Sequence, residues 1–286
     1  MGVLNNIIAA VDSSAVADEV LKRAIALAKK ENAQITVLHC IDIPLFEKLF
    51  GDVYDEESVL KKIEKKMLLL IADTGVDYFV TVTRGNPADA IVYESDRLQS
   101  DLIVIGAHGK ESIKDTFFGS TVQNVVQKSH LPVLIIKQPY RGDYQKILAL
   151  TDLSEASAES IRFSKELFSR TPLGIAYAYA QISDLTVNFY SLQEEKAAYR
   201  KKISIIEKQN AEKFQKTVGI DNIEIIESFS SISEALLETA KQHDSDLVVL
   251  GAHGVNVSDT FLYASTASFL MKAVPSDVLV YIPLGE

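Results

Sequence analysis

Short apolar runs alternate along this chain with longer segments whose apolar positions recur every three or four residues. Such an alternation predicts strands joined by helices. In the first half the predicted strands are Asn6–Val11, Gln34–Ile41, 77–83, Leu102–Gly106 and 133–137, and the predicted helices are 14–31, 55–74, 87–100 and 120–129. Because the strands are apolar throughout, we expect a parallel sheet covered by helices on both faces.

The second half repeats the first. The segment 100–109, SDLIVIGAHG, returns at 245–254 as SDLVVLGAHG. The matching strands are predicted at 146–150, 174–180, 222–229, 247–250 and 278–282. The sequence therefore predicts two tandem α/β domains, 1–138 and 145–286, each a doubly wound, Rossmann-like parallel sandwich of five strands, with a short linker at 138–143.

Composition narrows the classes of function. The chain has 286 residues, of which 47% are hydrophobic, enough for two buried cores. A net charge of −10 disfavours binding to nucleic acid or to an anionic membrane. The single cysteine, Cys40, cannot form an intrachain disulfide, and neither a leader nor a membrane-spanning run is recognisable. These observations predict a cytoplasmic protein.

A glycine-rich loop follows the fourth predicted strand. It begins at Gly106, and nine residues separate Gly109 from Gly119, which precedes Ser120 at the start of a helix. In open α/β sheets ligands bind beyond the carboxyl ends of the strands, where Asp12 also lies. Glycines allow close backbone approach, and a helix N-terminus donates N–H groups to phosphate oxygens. The loop is therefore a candidate phosphate site.

The pattern Gly-x2-Gly-x9-Gly-Ser, with the segments 10–14 and 39–42, resembles the ATP-binding branch of the universal stress protein family. The resemblance covers both halves and implies an adenine nucleotide alpha hydrolase-like fold that binds ATP together with Mg²⁺. It implies contacts to adenine and ribose from Val11, Asp12 and Cys40, to ribose and phosphates from Gly106, His108 and Gly109, and to the phosphate tail from Gly119, Ser120 and Thr121. Lys110 and Lys114 are either further phosphate contacts or solvated surface lysines.

The second copy of the motif is degenerate. Its counterpart residues are Asp152, Gly251, His253, Gly254, Ser265 and Thr266, but Ala264 replaces the third glycine. The added methyl group would block either a positive φ or the close approach of phosphate. The loop 255–263 also lacks lysine and arginine, and the turn at 84–87 has no match in 227–231. We therefore expect ATP in the N-terminal domain.

Structural explanations remain open for several of these residues. Asp12 and Asp152 fit a helix N-terminus, Gly119 fits a simple turn, and His108 and His253 fit loop shaping as well as catalysis. The five histidines show no metal-ligand spacing, and the chain has no Walker A loop, dinucleotide fingerprint or nucleophile elbow. We assign no catalytic or metal-binding residue and expect at most slow ATP hydrolysis.

The expected function is that of a nucleotide-dependent stress-response regulator or scaffold with an unknown protein partner. Three alternatives stay open: a nucleotide-independent scaffold, a slow ATP hydrolase, and a small-molecule or lipid sensor built on the apolar segment 261–263. The resemblance also implies how the repeats associate, because single-domain members of that family commonly pair two subunits through their last strands. Here 133–137 and 278–282 are expected to pair within one chain as a pseudo-dimer, and a homodimer of whole chains is a further option.

Overall fold

The computed structural model describes residues 2–42, 56–71, 74–107, 118–184, 194–252 and 266–283. Within these ranges the chain forms ten strands and eight helices. The strands are β1 Asn6–Val11, β2 Gln34–Ile41, β3 Tyr78–Arg84, β4 Leu102–Gly106, β5 Val133–Ile136, β6 Ile147–Thr151, β7 Leu173–Ala180, β8 Glu224–Ser228, β9 Leu247–Gly251 and β10 Asp277–Tyr281. The helices are α1 Val16–Glu31, α2 Glu56–Ile71, α3 Pro87–Arg97, α4 Ser120–Lys128, α5 Glu155–Leu167, α6 Lys196–Val218, α7 Ile232–Gln242 and α8 Thr266–Ala273. The predicted α/β fold is confirmed.

The first compact unit comprises Met1–Asp143, Gly254–Val257 and Asp277–Glu286. Its sheet has the strand order β3-β2-β1-β4-β5-β10. The first five strands are parallel, and β10 pairs with β5 in the antiparallel sense, with Leu279 opposite Leu134. The order reverses direction between β1 and β4, so their carboxyl ends flank the crevice in which ligands of doubly wound folds bind.

The second compact unit comprises Tyr144–His253 and Ser258–Ser276. Its strands follow the order β9-β6-β7-β8, and all three pairings are parallel. The unit repeats the β4-β1-β2-β3 part of the first sheet. The antiparallel pairing of β5 with β10 places the last strand of the second repeat in the sheet of the first unit.

The repeated Ser-Asp pair has a structural role at the amino ends of the strands. The carboxylate of Asp101 accepts the N–H groups of Asn5 and Asn6, at 2.6 and 2.9 Å. The carboxylate of Asp246 accepts those of Gln145 and Lys146 in the same way, at 2.7 and 3.0 Å. Each aspartate therefore aligns the first strand of its repeat with the fourth, on the side of the sheet away from the candidate site.

A buried carboxylate fixes β10 beside β5. Asp277 is 1% exposed, and its Oδ1 accepts the N–H groups of Lys137 and Gln138 at 2.7 and 3.0 Å. The guanidinium of Arg23 on α1, itself buried, lies 3.9 Å from Oδ2 of Asp277 and donates to the carbonyl of Gly142 at 2.8 Å. The same arginine thus connects the last strand with the segment that leaves the first unit.

Candidate functional site

The carboxyl end of β1 forms a tight turn. Oδ1 of Asp12 accepts the N–H of Ser14 at 2.9 Å and its hydroxyl at 2.5 Å. Nδ1 of His39 on β2 lies 2.8 Å from the carbonyl oxygen of Val11, and because a carbonyl only accepts, Nδ1 carries the proton in this contact. Asp12 therefore shapes the turn that leads into α1, which is the structural role that the sequence left open for it. The turn lies at the carboxyl edge of the sheet.

Cys40 lies near the end of β2, half-buried, and its thiol contacts the carbonyl of Gly85 at 3.4 Å. Burial raises the pKa of this thiol, Asp42 raises it further, and a contact from Thr83 acts in the opposite direction. A thiol held in its neutral form is a poor nucleophile. Cys40 is suited to contacting a ligand and unsuited to attacking one.

Backbone hydrogen bonds through Ala107 join the end of β4 to the start of α4. The N–H of Ala107 donates to the carbonyl of Ile136, and the carbonyl of Ala107 accepts the N–H of Gly119, both at 2.9 Å. Gly106 pairs with Ile136 in the β4–β5 register. Two hydrogen bonds through Ala107 therefore hold Gly106, the end of β5 and the N-terminus of α4 together.

Gly119 is the N-cap of α4, with φ −64° and ψ 141°, and within the described residues α4 has no side-chain cap. The N–H groups of the first turn, which begins with exposed Ser120 and half-buried Thr121, have no acceptor within the helix. The negative φ shows that a left-handed backbone is not the reason for this glycine. A Cβ at Gly119 would make one tight contact, with the carbonyl oxygen of Ala107 at 3.3 Å.

Five of the predicted site residues lie outside the described residues, as do both loop lysines and the alanine that replaces the third glycine. They are His108, Gly109, His253, Gly254 and Ser265, with Lys110, Lys114 and Ala264. The structure brings the remaining first-unit residues to neighbouring positions of one sheet edge and to the helix beside it. They are Val11, Asp12, Cys40, Gly106, Gly119, Ser120 and Thr121.

The corresponding edge of the second unit is built differently around Asp152. Oδ1 of Asp152 accepts the N–H of Ser154 at 3.0 Å, and Ser154 caps α5 through the N–H of Ser157 at 3.3 Å. Leu153 between them has a φ of 63°. A Cβ at Gly251 would lie 2.7 Å from the backbone of Ser157. Gly251 thus serves the packing of β9 against α5, and Asp152 serves the turn before that helix.

Two tyrosines occupy the end of β7. Tyr177 stands opposite Thr151 as His39 stands opposite Val11, and its hydroxyl donates to Glu207 on α6 at 2.7 Å. Burial, and then the hydrogen bond and charge of Glu207, raise the pKa of Tyr177, with smaller contributions from Tyr179 and Asp152. Glu207 therefore lies within hydrogen-bond distance of the Tyr177 hydroxyl at this edge.

Tyr179 adds a second carboxylate contact at the same edge. Its hydroxyl donates to Glu227 on β8 and lies 2.9 Å from the hydroxyl of Ser204 on α6. The rings of Tyr177 and Tyr179 stack with centroids 6.3 Å apart. Burial and the contact with Glu227 raise the pKa of Tyr179. Thr266, the remaining candidate of this unit, accepts the hydroxyl proton of Ser233 at 3.2 Å.

Lys137 is not among the site residues predicted from the sequence, and it follows β5 at the carboxyl edge of the sheet in the first unit. Its only sequence signal is its place directly after a continuous apolar strand. Among the residues that the structure describes, no group of three or more histidine, cysteine or carboxylate side chains is placed to hold a metal ion. In the same part of the chain, every helix is too short or too polar to span a membrane.

Comparison with known proteins gives a consistent result for both halves. The model of the "Universal stress protein family" matches residues 4–137 and 143–281. Universal stress protein MJ0531 of Methanocaldococcus jannaschii is 30% identical over 138 residues, which cover 45% of this chain and 79% of that protein.

Solved structures agree with this. The structure of a putative universal stress protein from Pseudomonas aeruginosa superposes on this chain with a TM-score of 0.72 and 17% identity. The match covers 98% of this chain and 94% of the Pseudomonas chain, and the two share the fold. A universal stress protein solved in complex with cAMP is 23% identical over 46% of this chain and 95% of its own, with a TM-score of 0.36. With a family match in each half, this chain belongs to the universal stress protein family.

Proposed function

We propose that the first unit binds ATP with Mg²⁺ and that nucleotide occupancy regulates the exchange of protein partners. The observation that carries the proposal is the junction of Gly106, Ala107 and Gly119. There the N-terminus of α4, which has no side-chain cap among the described residues, lies beside the carboxyl edge of the sheet. Backbone N–H groups at such a position favour phosphate oxygens.

Gly119 suits the proposed ligand because it places no side chain at the N-cap of α4, next to the first-turn N–H groups. A Cβ at this position would also lie 3.3 Å from the carbonyl oxygen of Ala107, which is a tight contact. Asp12 lies at the end of β1 with one carboxylate oxygen engaged in its turn and is the residue we propose for the ribose or for Mg²⁺. Bound Mg²⁺ would neutralise part of the phosphate charge.

The second unit is proposed to bind no nucleotide. Its edge holds Glu207 and Glu227 on the hydroxyl groups of two tyrosines, and Asp152 contributes a third carboxylate. These carboxylates would repel the phosphates of ATP, and the cations Arg200 and Lys208, which act on Glu227, offset part of that repulsion. The further ground for assigning ATP to the first unit alone is Ala264, which replaces the third glycine of the motif.

A regulatory role fits the chemistry of the first unit better than catalysis. A general base acts with a positioned partner and an oriented substrate proton, and among the described residues the contacts of Asp12 serve its own turn, through the N–H and hydroxyl of Ser14. A ligand that favours one arrangement of the loop between Gly106 and Gly119 shifts the population towards it. We propose that a protein partner recognises that arrangement, with slow ATP hydrolysis as the second candidate.

The proposal extends to the organisation and location of the chain. The domains are taken as 1–138 and 145–286, and the antiparallel pairing of β5 with β10 supports an intrachain pseudo-dimer. A cytoplasmic location is proposed because the single cysteine, Cys40, leaves no intrachain disulfide.

Equivalent threonines in the two repeats provide the test. Thr121→Val removes a hydroxyl from the first turn of α4, and Thr266→Val makes the same change in α8. We expect Thr121→Val to weaken Mg-ATP binding about tenfold, the value of one hydrogen bond to a charged group, and Thr266→Val to leave it unchanged. Calorimetric titration measures both. Loss of binding in Thr266→Val alone would place the nucleotide in the second unit and refute the proposal.

A further inference from the structure

Lys137 directly follows β5 at the carboxyl edge of the first sheet. The carbonyl of the preceding residue, Ile136, accepts the N–H of Ala107, whose own carbonyl accepts the N–H of Gly119. Two hydrogen bonds therefore separate the backbone beside Lys137 from the N-terminus of α4. The lysine lies at the side of the edge where the proposed phosphate tail would end.

The side chain of Lys137 extends towards that helix. Its Nζ lies 5.7 Å from the centre of the Phe118 ring, and Phe118 immediately precedes Gly119. The ring face is electron-rich and attracts the ammonium group. Asp277 of β10 is the charged group that acts on the amine from the opposite strand. The N–H groups of Lys137 and Gln138 and the guanidinium of Arg23 hold the carboxylate of Asp277 in place. The carboxylate therefore cannot move with the Lys137 amine towards a ligand.

The amine is held in an environment that penalises its charge. Burial lowers the pKa of Lys137 to about 8, although Asp277 favours the charged form. An ammonium under such a penalty gains more from an incoming anion than a solvated surface lysine does. In the second repeat the corresponding residue is Ile282, which is buried, so the cation belongs to the first repeat alone.

We propose that Lys137 is a phosphate-binding residue that makes the first-unit site selective for nucleoside polyphosphates over nucleosides. This inference rests on the proposed function and adds a residue to its site. The N–H groups of α4 bind phosphate oxygens from one side, and the ammonium beside Phe118 binds them from the side of β5. Adenosine lacks the phosphates and gains nothing from Lys137.

The test compares Lys137→Gln with Lys128→Gln, a change in the last turn of α4 where the lysine is paired with Asp89 on the surface. We expect Lys137→Gln to weaken ATP binding about tenfold and to leave adenosine binding unchanged. Lys137→Arg should restore most of the ATP affinity, and Lys128→Gln should change neither ligand. Circular dichroism checks that each variant is folded.

A second readout separates this inference from the proposed function. Acetylation of Lys137 by acetic anhydride is followed by mass spectrometry, with inorganic tripolyphosphate or adenosine present. Protection by tripolyphosphate and none by adenosine supports the inference. Unchanged ATP affinity in Lys137→Gln, with binding lost in Thr121→Val, overturns the role of Lys137 and leaves the proposed function intact. Tripolyphosphate protection without any ATP binding overturns the nucleotide assignment. The absence of both tripolyphosphate protection and ATP binding overturns both proposals.

Discussion

Replacing Asp277 with alanine should release β10 from the first unit. The substitution leaves the N–H groups of Lys137 and Gln138 without their acceptor and the buried guanidinium of Arg23 without its carboxylate. Removing one partner of a buried ion pair costs about 3–5 kcal/mol. Arg23 keeps its contact with the carbonyl of Gly142, so we expect the lower part of that range, about 3 kcal/mol.

The control is Lys61→Ala, which breaks an exposed pair with Glu57 on α2 in which the lysine side chain is 68% exposed. Such surface pairs contribute little to stability. Urea unfolding measures both free energies, and hydrogen exchange should show lost protection in β10 and at Lys137 and Gln138 for Asp277→Ala alone. A loss below about 1 kcal/mol, or protection of β10 equal to wild type, would refute the role assigned to this carboxylate.

Two further predictions concern packing and pH. Gly251→Ala should destabilise the second unit by about 1–3 kcal/mol because its Cβ would lie 2.7 Å from the backbone of α5. Gly119→Ala should cost less because its Cβ would meet a single atom at 3.3 Å. Urea unfolding measures both losses of stability, and equal losses would contradict this account of the packing. For Lys137, the folded pKa of about 8 lies below the unfolded value of about 10.4, so the unfolded chain binds more protons between these values and stability should rise with pH there. Lys137→Met should remove this contribution, and an equal rise in wild type and variant between about pH 8 and pH 10 would contradict it.

The order of strands and helices follows largely from the sequence because most strands are continuous apolar runs and most helices have an amphipathic pattern, with β8 and α6 as exceptions. The pairing of the last strands of the two repeats is expected from the family resemblance and not from a pattern in the residues themselves. The runs that form β5 and β10 are similarly apolar, and the residue that fixes β10 is Asp277, which bonds to a backbone about 140 positions away. No local pattern carries such a contact.

The candidate site was predictable where it depends on backbone and glycine, and less so where it depends on side chains. Gly119 and the start of α4 follow from the spacing of the motif, although φ is negative and a Cβ there would make one tight contact, with Ala107. The pairing of Tyr177 with Glu207 joins a strand to a helix 30 residues later and leaves no sequence signal. Lys137 resembles an ordinary solvated residue at the end of a strand until Phe118 is placed beside it.

The central claim is that one of the two repeats binds ATP. Calorimetric titration of nucleotide-stripped protein with Mg-ATP measures the stoichiometry per chain. We predict one site per chain, which Thr121→Val weakens and Thr266→Val leaves unchanged. Two sites per chain would contradict the exclusion of nucleotide from the second unit. No heat, together with no displacement of a fluorescent ATP analogue, would contradict nucleotide binding itself and favour a nucleotide-independent scaffold.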